Sequence, residues 1–245
     1  MGLVSATVNR RGSVFARWLS VLAVIALVAC QSGTISPGFP PVAAPRLAVG
    51  DQWLYKITDN LRIGLVTMLV ADVVSISAGT ATLRLTYNDQ YGRSELTQEI
   101  DANGGLIVGA LKGQETRHFQ TPIELYDFPL EPGKSWRQVV ETISPDTQLK
   151  AQILVYGTVQ GQTVETVPAG TFYATYVYRI LQLDDEQFWR TRTTLEDAVW
   201  FVPEMKTGVR ELRNAYYFLN DGPTVVHAER TTTELISFQP GPKHP

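Results

Sequence analysis

Few side chains in this sequence are equipped for chemistry, and their spacing excludes most reactions. Cys30 is the one cysteine, and His118, His227 and His244 are the three histidines. A single thiol allows no internal disulfide and no Cys-based zinc site. His244 sits in the terminal Pro240–Pro245 tail, so a multi-histidine metal centre would need distant, unpatterned partners. Neither His-Glu-x-x-His nor Gly-x-Ser-x-Gly occurs. Gly133-Lys134-Ser135 ends like a phosphate loop, but the earlier glycine of that motif would fall at position 128, which is Phe128. His227, between Val226 and Ala228, has no nucleophile to pair with and reads as a hydrogen-bonded strand residue. Asp184-Asp185-Glu186 and Asp101-Ala102-Asn103-Gly104-Gly105 both begin like cation loops. Each lacks the remaining oxygen ligands, and hairpin turns use the same residues. The expectation is a non-catalytic protein with no metal and no cofactor.

Cys30 is the reactive position that has a pattern around it. Arg10, Arg11 and Arg17 form a positive head, no acidic residue precedes Asp51, and Trp18 to Ala29 is apolar apart from Ser20. That run is shorter than the about 20 residues a membrane span needs, so it reads as a cleaved signal peptide over residues 1–29. Leu27-Val28-Ala29-Cys30 resembles the bacterial lipoprotein box. The resemblance implies a diacylglyceryl group on the Cys30 sulfur, cleavage before it and an acyl chain such as palmitate on the new amino terminus. Two or three chains hold a protein stably on a membrane, since each buried methylene adds ~0.8 kcal/mol.

Behind Cys30, residues 30–45 carry Pro37, Pro40, Pro41 and Pro45 with Gly33 and Gly38, a composition that disfavours helix and strand and reads as a tether. Gln31 rather than Asp follows the Cys, which resembles a lipoprotein sent to the outer membrane, facing the periplasm, if the host is Gram-negative; otherwise the outer face of the cell membrane is expected. Removing residues 1–29 takes away three Arg and no acid, so 18 basic side chains face 24 acidic ones and the formal charge moves from −3 to −6. Nucleic acid is a poor partner for such a surface.

From residue 46 to 239 the period is two. Thr82 to Asn88 and Gln148 to Ile153 alternate polar and apolar, which places one face on a core and the other in water. Turn signals recur at strand spacing, at Ala78-Gly79, Asn88-Asp89, Gln160-Gly161, Pro168-Ala169-Gly170 and Asn220-Asp221-Gly222. The fold class predicted is mainly β, an antiparallel meander, with irregular structure or a short helix around Lys112 to Pro132 and a tail over 240–245. Gly50-Asp-Gln-Trp53 and Gly133-Lys-Ser-Trp136 echo one another; a duplicated half-domain is one reading, a turn followed by an aromatic strand residue the other.

Gly50-Asp-Gln-Trp-Leu-Tyr55, Phe128-Pro-Leu-Glu-Pro-Gly-Lys-Ser-Trp136, Val167-Pro-Ala-Gly-Thr-Phe172 and Trp200-Phe-Val-Pro-Glu204 follow one another in an order that resembles a family of bacterial envelope domains labelled TapB-like. That family is similar to the LolA/LolB lipoprotein carriers. The resemblance implies a strongly curved antiparallel sheet, a half-barrel around an apolar cavity, and no catalytic residue.

The aromatic crowding after Thr171 is the remaining candidate for function. Tyr176, Tyr178, Trp189, Trp200, Tyr216 and Phe218 fall on both faces of neighbouring strands. They fill an ordinary core, or part of a concave face stays open for a lipid or other hydrophobic small molecule. A third expectation is an accessory lipoprotein that binds another envelope protein through an exposed strand edge.

Overall fold

The computed structural model describes residues 35–36, 38–144 and 148–242, so Cys30 and the signal segment lie outside the described residues. Twelve strands follow one another: β1 (Gln52–Asp59), β2 (Val66–Ser77), β3 (Thr80–Asp89), β4 (Gly92–Ile100), β5 (Leu106–Gly109), β6 (Arg117–Ile123), β7 (Ser135–Ile143), β8 (Lys150–Val167), β9 (Gly170–Gln182), β10 (Thr194–Val202), β11 (Thr207–Phe218) and β12 (Val225–Gln239). The sheet order β6-β5-β4-β3-β2-β1-β12-β11-β10-β9-β8-β7 is a meander in which β1 also pairs with β12. β6 and β7 are its two edges and lie against each other, so the sheet is nearly closed into a barrel. The expected curved meander is present, and its curvature goes beyond a half-barrel. Between Lys112 and Pro132 the short helix of the alternative expectation is absent, and the expected irregular structure flanks a short strand, β6. Phe119 and Ile123 are its two buried side chains, too few to display a period in the sequence.

Alternation fixes two ends. The β1–β2, β3–β4, β9–β10 and β11–β12 turns share one end, here the mouth; the β2–β3, β8–β9 and β10–β11 turns and the start of β1 share the other. Gly50 and Gly133 both adopt positive φ ahead of an inward Trp, so the sequence echo marks one turn geometry used twice. Beneath β5 to β10 the interior is filled: Ile123, Val140, Ile153, Val155, Leu181 and Leu195 are almost wholly buried.

Ser36 and residues 38–45 lie on the barrel at the end away from the mouth. Ser36 exchanges two backbone hydrogen bonds with Gln162, at 2.7 and 3.0 Å, and Val42 exchanges two with Leu130, at 2.9 and 2.8 Å. Val42 is buried and Phe39 packs with it against Leu130 and Trp136. Pro40 and Pro41 have no N–H to pair, which is why the segment is pinned at points and not along a ladder.

The β6–β7 seam is closed by side chains. Gln138 Oε1 accepts from the Glu124 N–H at 2.9 Å while Gln138 Nε2 donates to the Pro122 carbonyl at 2.7 Å. Trp136 Nε1 donates to the Glu124 carbonyl at 3.0 Å. Gln138→Ala removes two of these bonds and is expected to cost about 1–2 kcal/mol in urea denaturation. Amide exchange should quicken at Glu124 and leave β9 and β10 unchanged; uniform quickening would mean that the seam does not open locally.

Candidate functional site

The half of the barrel formed by β1 to β4 is not filled. A cavity of about 1020 Å³ occupies it, walled by Trp53, Tyr55, Leu69, Leu83, Leu85 and Ile100. It reaches solvent at the mouth, where Leu61 and Tyr91 are exposed on the β1–β2 and β3–β4 turns. Pro45, Leu47 and Lys206 bound it at the other end. There Lys206 Nζ meets Asp51 Oδ2 at 2.6 Å, and the fully buried Asp51 also accepts from the Ala48 and Gly241 amides at 2.7 and 2.9 Å. One carboxylate thus ties the entering chain, the chain end after β12 and the β10–β11 turn together.

The wall opposite the apolar strands is charged. Register places Asp59, Thr231, Arg213, Asp197 and Arg179 in one inward row across β1, β12, β11, β10 and β9. Arg213 grips the fully buried Asp197 with two bonds, Nε to Oδ1 at 2.8 Å and Nη2 to Oδ2 at 2.9 Å, while Arg179 Nη2 meets Asp197 Oδ2 at 3.0 Å. Glu211, one row away, takes Arg179 at 3.1 Å and Arg213 at 3.3 Å. The Tyr126 ring lies 5.1 Å under the Arg179 guanidinium. Arg179 Nε is buried without a hydrogen-bond partner.

These groups perturb one another in both directions. Burial alone would raise the Asp197 carboxyl, but the Arg213 and Arg179 guanidiniums outweigh it and hold it low. Glu211 goes the other way: burial and the neighbouring Asp197 raise it more than the two arginines lower it. Burial also pushes the Tyr126 hydroxyl up to about 12.

A second ion-pair group seals the mouth side of the filled half. Arg117 forks onto Asp184 at 2.7 and 2.6 Å, and Thr142 also bonds that carboxylate. Asp185 takes Lys112 at 2.8 Å, Arg190 at 3.2 Å and the Thr193 amide at 2.7 Å. The acidic pair that begins like a cation loop is therefore occupied by protein donors. Burial would raise both carboxyls, yet these bonds hold both below the ordinary aspartate range. Folded values lower than unfolded ones give stability that is fully present above about pH 4 and is lost as pH falls below it. The expected urea midpoint declines from pH 4 to pH 2, and Asp184→Asn, which is already neutral, flattens that decline; an unchanged slope in the variant would remove Asp184 from the account.

The six aromatic residues singled out in the sequence do not line the cavity. Tyr176 and Tyr178 alternate with the inward Thr175, Val177 and Arg179, and Trp200 alternates with the cavity-lining Val199 and Phe201. Tyr176 and Trp200 stack at 5.1 Å on the opposite face, beside Arg210, which pairs with Glu165 of the β8–β9 arm at 2.7 Å. That arm reaches β12, where the Ala169 N–H donates to the Leu235 carbonyl at 3.0 Å. Tyr216 donates to Glu196 at 2.9 Å and meets Phe218 edge-on at 5.9 Å. Its hydroxyl is pushed up to about 12 by burial and by Glu196. Trp189 lies in the β9–β10 loop against Tyr217 and Arg190. Sequence reasoning missed Trp53, Tyr55, Leu69 and Leu85 as wall residues. Their alternation was visible, but a one-faced strand looks the same over a filled interior and an open one.

No family model and no curated protein matches the chain. Two solved structures align with 82% of this chain and the whole of theirs. One is an inferred lipoprotein from Parabacteroides distasonis, 12% identical with a TM-score of 0.44. The other is an inferred exported protein with a YmcC-like fold from Bacteroides fragilis, 12% identical with a TM-score of 0.41. At that distance neither carries an argument about this chain.

Proposed function

We propose that this chain is a lipid-anchored, non-catalytic envelope lipoprotein that holds a hydrophobic molecule inside its barrel. The observation that carries the reading is the cavity: about 1020 Å³, walled by Trp and Leu side chains and open at one end, at the upper end of the about 300–1,000 Å³ range of ligand pockets. The signal pattern and Cys30 support the anchor, and the carrier resemblance in the sequence points to the same kind of ligand. The chain lacking residues 1–29 and carrying Cys30→Ser keeps the Ser36 and Val42 pairings and is the protein to test. Native mass spectrometry followed by organic extraction should recover a stoichiometric apolar compound. Leu85→Lys, which sets a charge on the cavity wall, should lower uptake of a fluorescent naphthylamine probe by about tenfold or more. A clean apoprotein that takes up no probe would sink the proposal. For the anchor, the full chain should incorporate labelled palmitate and Cys30→Ser should not.

A further inference from the structure

The cavity wall combines apolar strands with the charged row, and the pairing of its charges is unequal. Among the described residues each basic side chain on the wall stands against a carboxylate: Arg62 with Asp59 at 2.7 Å, Lys206 with Asp51 at 2.6 Å, Arg213 with Asp197 at 2.8 Å, and Lys112 with Asp185 at 2.8 Å, which it shares with Arg190. Arg213 has little left to offer, since its Nη1 donates to the Leu111 carbonyl at 3.2 Å. The acids are not matched in return. Glu229 lines the cavity with no ion pair among the described residues, and its side-chain hydrogen bond comes from the Thr231 hydroxyl at 3.5 Å. Glu211 shares Arg179 and Arg213 with Asp197, which already holds both more closely, and its side chain is 27% exposed, on the cavity side. Tyr87 and Tyr126 present aromatic rings in the same cavity, and ring faces attract cations.

We propose that the ligand is an amphiphile with a cationic head, a primary ammonium held against Glu211 and Glu229 while its apolar tail lies along Leu69, Leu83, Leu85 and Ile100. This deepens the cavity reading and rests on it. An anionic head at this place would meet two carboxylates, and a neutral head would leave Glu229 unpaired. Burial, and after it Asp197 and Glu229, raise the Glu211 carboxyl against the two arginines that lower it, so a cation placed beside it would favour its charged form.

The test is displacement of the bound naphthylamine probe, at neutral pH and below each critical micelle concentration, by decylammonium, decanoate, decyl maltoside and tail-less butylammonium. Decylammonium should displace the probe at a concentration ~10-fold or more below decyl maltoside, and decanoate should be the weakest of the three ten-carbon compounds. Glu229→Gln should bring decylammonium to the level of decyl maltoside; Glu211→Gln should do the same, with circular dichroism to check that it folds. Decanoate equal to or better than decylammonium would overturn the head-group assignment while leaving the cavity reading intact. Butylammonium as effective as decylammonium would overturn the amphiphile in favour of a free amine. A protein that takes up no probe at all fails at the cavity, and this inference falls with it.

Discussion

Asp197→Ala should unfold the barrel or cost about 3–5 kcal/mol, the loss seen when one partner of a buried ion pair is removed. The carboxylate is fully buried and takes three guanidinium bonds from Arg179 and Arg213. Without it, two positive charges remain inside with Glu211 alone to answer them, and neither side chain can leave, because both stand on inward positions of paired strands. Urea denaturation at neutral pH measures the cost. A charge-free replacement of the whole cluster, Arg179→Met, Asp197→Leu and Arg213→Met together with Glu211→Gln, which would otherwise lose both of its arginines, should cost less than the single change, since buried ion pairs are often replaceable by apolar groups of similar volume. If Asp197→Ala falls within 1 kcal/mol or so of the parent, the row is better solvated than the geometry implies.

Gly157→Ala carries the second large effect. Gly157 pairs with Trp136 across β7 and β8, and a Cβ at that position would stand 2.0–2.3 Å from three atoms of the indole ring. The ring cannot slide far, because its Nε1 is bonded to the Glu124 carbonyl and its faces belong to the cluster of Val42, Leu130 and Phe201. One added methyl group should therefore displace a whole side chain and cost ~3 kcal/mol, at the upper end of overpacking losses. Trp136→Ala alone should cost about 3–5 kcal/mol. The two changes should be strongly non-additive, with Gly157→Ala nearly free in the Trp136→Ala background. Additive losses would show that the glycine is needed for its backbone and not for the ring.

These two positions also show where sequence was readable. The strands over Thr82–Asn88 and after Gln148 were plain from their alternation, and the turns at Ala78-Gly79 and Pro168-Ala-Gly170 were plain from residue type. The face of β9 was not. Tyr176, Tyr178 and Ile180 alternate with Thr175, Val177, Arg179 and Leu181, so both faces are largely apolar and the choice of interior rests on a shift of one residue. An arginine argues for the solvent side and two tyrosines for the core, and the structure does the reverse. Arg179 is tolerated inside because Asp197 and Glu211 arrive from β10 and β11, a meeting of residues 18 and 32 positions away that no local pattern contains. The cavity was legible as an implication of a resemblance and as one of two readings of the aromatic crowding, but its wall residues were not, because alternation records which side a residue faces and not what fills the space beyond it.

The strap formed by Ser36 and residues 38–45 also sets how the molecule bears load. A pull on the chain ahead of Ser36 is met first by its two hydrogen bonds to β8 and then by those of Val42 to Leu130, all away from the mouth. Phe39 and the buried Val42 take up what those bonds do not. The β1–β2 and β3–β4 turns that frame the opening stand outside this path. A pull from that side is thereby taken up by β8 and the Leu130 segment and not by the rim.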